Sequence, residues 1–154
     1  MIDAVLDYLI ENKITVATAE SCTAGLIAAR IGDRSGVSEI FSEGFVTYSN
    51  AAKEKNLGVP CEILANHGAV SEETARAMAE GVCRVTRARL GLSSTGIAGP
   101  TGGTKEKPVG LVYMGVCLDG KTTVVRRVFE GSRAEVRAQT VETVFAEIKK
   151  RLQI

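Results

Sequence analysis

Asp119-Gly120 falls between two β-rich runs, Val109–Leu118 and Thr122–Phe129, and this arrangement constrains the fold more than any other feature of the chain. An Asp-Gly pair between two extended runs closes a type I′ hairpin, because its two positions tolerate positive φ. The last two strands must therefore run against each other. Upstream the pattern changes. Short β-rich runs at Ile14–Ala19, Ile40–Ser49 and Leu90–Ile97 are separated by helical stretches. That alternation argues for a parallel sheet covered on both faces, so the expectation is a three-layer α/β/α sandwich with a mixed, mostly parallel sheet.

The helices are read from period and caps. Ile2, Val5, Leu6, Leu9 and Ile10 form one stripe, and Leu26–Ile31 follows the first strand after a tight turn. Asn50 is expected to cap a short helix over Ala51–Asn56 that Pro60 stops, and the strand before it to bulge at Gly44. Ser71 caps a longer helix, with Glu72 and Glu73 at its positive end and Ala75, Met78, Ala79, Val82 and Val85 inward. Ser132-x-x-Glu135 is a capping box, after which Val141, Val144, Phe145, Ile148 and Leu152 face the core. No linker or repeat divides the chain, so residues 1–154 are expected to form a single domain.

Composition narrows the function. With 19 Lys+Arg against 18 Asp+Glu the net charge is +1, and aromatics are 5% of the residues. Neither a basic field nor a stacking surface is present, so no nucleic-acid partner is expected. Four widely spaced cysteines and a single histidine, His67, offer no zinc-site spacing, so no metal and no cofactor are expected. Cys22, Cys83 and Cys117 lie in apolar patterns and read as small hydrophobes. The acidic, amphipathic start is unlike a signal peptide, and no apolar run reaches the length of about 18–20 residues that a membrane span requires. These features read as a cytoplasmic protein with no membrane partner.

Ligands of such sheets gather beyond the carboxyl ends of the strands, where Ala19–Gly25, Thr47–Lys53 and Thr95–Gly103 all fall if their strands are parallel neighbours. Ser21 sits on a sharp strand-to-helix turn. Either Ser21 or Thr23 simply caps the helix, or Ser21 is a nucleophile whose oxyanion the amides of Cys22 and Thr23 receive. His67, in an expected loop before Ser71, is a weak candidate base. Lys53 is stronger, because the positive end of its helix and partial burial both favour the neutral amine a base requires. Tyr48, at the end of the preceding strand, is placed to pass a proton.

The loop Gly96-Ile97-Ala98-Gly99-Pro100-Thr101-Gly102-Gly103 matches neither the Walker nor the dinucleotide fingerprint. Its small residues nevertheless let backbone amides approach a phosphate or ribose. Arg133, in the first turn of the last helix, is a cation at the wrong end of a dipole and calls for an anionic partner; Arg137 is the second candidate.

Four ordered segments then become specific: Thr18–Gly25 (TAESCTAG), Gly44–Asn50 (GFVTYSN), Ser94–Gly103 (STGIAGPTGG) and Lys107–Gly110 (KPVG). Together they resemble the CinA C-terminal domain family, which includes the PncC-type nicotinamide mononucleotide deamidases, and the chain looks like the stand-alone form. The resemblance implies a mixed five-stranded sheet and a metal-free hydrolysis of nicotinamide mononucleotide to nicotinic acid mononucleotide and ammonia. It places the catalytic serine, tyrosine and lysine on Ser21, Tyr48 and Lys53. It places a substrate-contacting threonine on Thr95 and an arginine on Arg133, with Arg137 as the alternative. Together with the turn and loop read above, the expected substrate contacts are Cys22, Thr23, Thr95, Gly96, Gly99, Gly102, Gly103 and Arg133. Ala24 departs from the pattern, since many members carry glycine there. The partners expected are a small nucleotide substrate and a second copy of the chain in a homodimer. Rival readings are a thiol amidase using Cys22, a nucleotide-binding module without turnover, and a DNA-associated factor.

Overall fold

Every residue of the strand Val16–Glu20 (β1) is buried, which places it inside the sheet and not at an edge. The computed structural model describes residues 1–154. β1 pairs in parallel with Phe41–Val46 (β2) on one side and Leu90–Gly96 (β3) on the other. β3 runs antiparallel to Leu111–Leu118 (β4), and β4 antiparallel to Lys121–Val128 (β5) across the Asp119-Gly120 turn. The order is β2-β1-β3-β4-β5, so the sheet is mixed and five-stranded as expected. The condition on the site is also met: β2, β1 and β3 are parallel neighbours with their carboxyl ends on one side.

The pleat assigns the two faces. Val16, with Leu90, Leu92, Val112, Met114 and Val116, packs against Ile2–Glu11 (α1), Leu26–Gly32 (α2) and Arg133–Leu152 (α6). Ala17 and Ala19 point the other way, toward Leu57, Leu64, Met78 and Val82 of Asn50–Leu57 (α3), Cys61–His67 (α4) and Glu72–Thr86 (α5). This is the three-layer arrangement. The β1–β2 register slips between Val16 and Thr18, so β2 carries an extra residue just before Gly44.

Several local expectations are corrected. Ser49, not Asn50, caps α3 by accepting the Ala52 amide at 3.0 Å. Both residues are competent caps, and the choice turns on where the extended backbone ends. Gly58 in the left-handed region ends α3, and Pro60 does not stop that helix but begins α4. His67 is the last residue of α4 and does not lie in a loop. Val85 is 47% exposed, because the last turn of α5 has run past the end of α3, where Arg84 already holds the Leu57 carbonyl. Strands β2 and β4 are shorter than their β-rich runs, and β5 keeps the length of its run but begins and ends one residue earlier.

Candidate active site

At the carboxyl end of β1 the ladder continues one residue, with the Ser21 amide donating to the Ser94 carbonyl at 2.9 Å. The chain then turns sharply. Ala24 and Gly25 both take positive φ, at 48° and 98°, before α2 begins. The turn is capped by neither Ser21 nor Thr23. The buried carboxylate of Glu20 reaches over instead, accepting the Ile27 and Ala28 amides at 2.8 and 3.0 Å and the Thr23 hydroxyl at 2.6 Å. An anion suits the positive end of a helix. Because Glu20 takes the helix amides, the Ser21 hydroxyl is released from capping, and the amides of Cys22 and Thr23 donate to no acceptor of the chain.

Lys53 is the largest fully buried side chain, 1% exposed. Its Nζ donates to the Thr47 carbonyl at 2.8 Å and to Ser21 Oγ at 3.2 Å, and it forms no ion pair. Burial without a carboxylate pushes its pKa below the usual lysine range. In the neutral amine the same contact can run in reverse, with the serine hydroxyl donating to the nitrogen lone pair. That is the geometry of a nucleophile and its general base.

The other candidates divide into those joined to this pair and those held elsewhere. Tyr48 is 56% exposed, and its hydroxyl meets Arg133 at 2.8 Å, not Ser21 or Lys53. The second arm of Arg133 donates to the Gly99 carbonyl at 2.9 Å, so this arginine ties the glycine loop to the tyrosine and has no carboxylate partner. Thr95, buried beside Ser94, donates to the Ala69 carbonyl at 2.7 Å. The Thr23 hydroxyl is used up between Glu20 and Ser94. Cys22 is buried, and burial pushes its thiol up to about 11. His67 sits 3.7 Å from Glu73 at the end of α4, outside the serine–lysine pair.

Glycines of the loop have a reason within the chain. A Cβ on Gly96 would meet the Leu111 carbonyl at 2.6 Å, one on Gly103 the Val109 amide at 2.7 Å, and one on Gly99 the Val109 side chain. They let the loop lie flat on the start of β4, while Gly102 turns at φ 92°. None of the four surface concavities is lined by Ser21, Tyr48 or Lys53. No group of three or more His, Cys, Asp or Glu side chains is placed to hold a metal ion. No helix is long and apolar enough to cross a membrane.

Sequence reasoning gave Glu20 no capping role, and it offered Arg137 only as the second candidate for an anionic partner. Glu20 was legible as the one charge in an otherwise small and apolar strand leading into a helix. Arg137 donates to the Cys22 and Thr23 carbonyls, both at 3.1 Å. Nothing local to α6 signals that contact.

This site can be compared with known proteins. The model of the CinA C-terminal domain matches residues 1–152. The chain belongs to that family. A competence-damage inducible protein of Clostridium perfringens is 52% identical over 145 residues, 94% of this chain and 35% of that protein. One of Clostridioides difficile is 48% identical over 151 residues, 98% of this chain and 36% of that protein. The chain thus spans about a third of the length of these curated relatives. Among solved structures, a CinA superfamily protein from Klebsiella pneumoniae superposes with TM-score 0.95 at 33% identity, covering 99% of this chain and 95% of that one. A competence/damage inducible protein from Agrobacterium tumefaciens gives 0.90 at 40% identity over 97% and 94%. None of these names states an activity.

Proposed function

We propose that this CinA-family chain is a serine amidohydrolase that converts nicotinamide mononucleotide to nicotinic acid mononucleotide and ammonia. The observation that carries the reading is the buried, unpaired Lys53 amine 3.2 Å from Ser21 Oγ. Neutral Lys53 takes the serine proton, and the alkoxide attacks the carboxamide carbon. The amides after Ser21 receive the oxyanion, with that of Cys22, the residue following the nucleophile, as the first donor. The ammonium of Lys53 returns its proton to the leaving nitrogen, so the C–N bond breaks to give ammonia and an acyl ester on Ser21. Water, deprotonated by the same amine, then releases the acid and restores the serine.

The Arg133–Tyr48–Gly99 unit supplies the cation and oxygen groups for the ribose phosphate. Its guanidinium charge is not neutralised by any carboxylate, which is what a phosphate-binding arginine needs. Tyr48 accepts from Arg133 and keeps its own proton to donate, so a part in proton transfer would require its hydroxyl to meet the substrate or the serine–lysine pair when substrate binds. A thiol amidase is disfavoured, since a buried thiol held near 11 is protonated at neutral pH. The substrate proposed is a small nucleotide and the assembly proposed is a homodimer, which light scattering reads directly.

The test is ammonia release from nicotinamide mononucleotide without added metal, by wild type and by Ser21→Ala. Release by the wild type alone supports the reading. No release, or equal release, ends it.

A further inference from the structure

Arg133 and Arg137 lie one turn apart on α6, yet their guanidinium groups face different tasks. Arg133 reaches out to the glycine loop and to an exposed phenol. Arg137 turns inward: its Nε donates to the Cys22 carbonyl and its second arm to the Thr23 carbonyl, both at 3.1 Å, and the contact is partly buried. These are the carbonyls of the two residues that follow Ser21.

From this we infer that Arg137 is a positioning residue for the nucleophile turn and not a ligand of the substrate's phosphate. The inference rests on the amidohydrolase reading above and adds a part to it. The Cys22–Thr23 peptide is trans, since the only cis bond in the chain is Gly99–Pro100. In a trans peptide the carbonyl and the N–H point in opposite directions. Holding the Cys22 carbonyl toward α6 therefore turns the Thr23 N–H away from α6. That amide has no acceptor in the chain. A charged donor on the carbonyl also polarises the peptide unit, which strengthens what its N–H can offer.

The same turn is held from its other side by Glu20, whose carboxylate takes the Thr23 hydroxyl and two amides of α2. A strand-to-helix turn with Ala24 at φ 48° needs such restraint to keep one geometry. Arg137 commits its Nε and one terminal nitrogen to backbone, and its planar fork suits two successive carbonyls.

The experiment compares Arg137→Gln, Arg137→Lys and Arg133→Gln in the full chain. Turnover of nicotinamide mononucleotide is measured alongside the rate at which a fluorophosphonate modifies Ser21, followed by mass spectrometry. For Arg137→Gln, kcat is expected to fall roughly 10²–10³-fold, the scale of losing one oxyanion donor. KM should stay within about twofold of wild type, as expected when an interaction made only in the transition state is lost. Fluorophosphonate modification should slow by a comparable factor. Arg137→Lys, which can hold one carbonyl, is expected to fall between, and it keeps the test usable if the glutamine variant does not fold. A rise in KM with kcat intact would make Arg137 a phosphate ligand and overturn the inference, as would unchanged modification of Ser21. If wild type reacts with the fluorophosphonate but releases no ammonia, the proposed substrate is wrong and the modification rates still decide the role of Arg137. If wild type does neither, both readings fall.

Discussion

The Tyr48 hydroxyl accepts a hydrogen bond from Arg133 at 2.8 Å, joining the end of β2 to the first turn of α6 across 85 residues of sequence. The tyrosine is thereby attached to the arginine that the proposal assigns to phosphate. Arg133→Gln is expected to raise KM for nicotinamide mononucleotide about 10–100-fold with a small effect on kcat, since charge-assisted hydrogen bonds contribute about 1.5–3 kcal/mol. Nicotinamide riboside, which lacks the phosphate, should be nearly indifferent to the change. Tyr48→Phe should follow the same direction more weakly. Steady-state kinetics on both substrates would show it, and an equal loss on the two would detach Arg133 from the phosphate.

Ser21 and Cys22 are adjacent, and their environments separate their roles. The serine hydroxyl touches the Lys53 amine, while burial holds the Cys22 thiol up near 11. Ser21→Ala should lower kcat by about 10³-fold or more, as for a member of a catalytic unit. Iodoacetamide at pH 8 should modify exposed Cys61 and leave Cys22 untouched, with activity retained. Loss of activity in step with alkylation of Cys22 would move the nucleophile to the thiol.

Lys53 makes a prediction in pH. The unfolded chain keeps this lysine protonated up to about 10.4, whereas burial makes the fold release the proton earlier. Between those two values the unfolded state binds more protons, so the group's contribution to stability rises with pH and is lost as pH falls. Activity should rise in the same direction, through an apparent pKa below the ordinary lysine value. The melting temperature of wild type minus that of Lys53→Met should therefore climb from pH 7 toward pH 10. Taking the difference removes the opposing effect of Cys83, pushed up to about 12, which both proteins share. Lys53→Arg should be inactive, because a guanidinium stays charged. A flat difference and a pH-independent kcat would mean that Lys53 titrates normally.

What the sequence made legible follows from how far each signal reaches. The Asp119-Gly120 hairpin, the Ser132–Glu135 capping box and the stripes of α1 and α6 are set by residues within one or two turns, and they appear where the pattern places them. The short α4 has only Leu64 buried, so no stripe announces it, and Pro60 reads as an end when it is a beginning. The serine–lysine pair depended on β1 lying beside β2, which hydrophobic pattern alone does not specify. Glu20 and Arg137 act on backbone amides and carbonyls, groups that every residue carries, so no motif marks their targets.

Ala24 carries a last prediction, in stability. Its φ of 48° lies in the left-handed region, which costs a residue with a Cβ about 1–2 kcal/mol. Glycine removes that cost but loosens the unfolded chain, an opposing effect of about 0.4–1 kcal/mol. The Ala24 methyl is exposed, so no packing is lost with it. The balance favours glycine by roughly 0.5–1 kcal/mol, and Ala24→Gly is expected to raise the melting temperature by about 1–4 °C for a chain of this size. Gly25→Ala should act in the opposite sense. Its φ is 98°, and although a new Cβ would find Val46 no nearer than 3.7 Å, the backbone itself resists the side chain. Calorimetry on both variants checks the pair. A lower melting temperature for Ala24→Gly would show that this turn draws its stability from a stiff residue at position 24 more than it loses to strain.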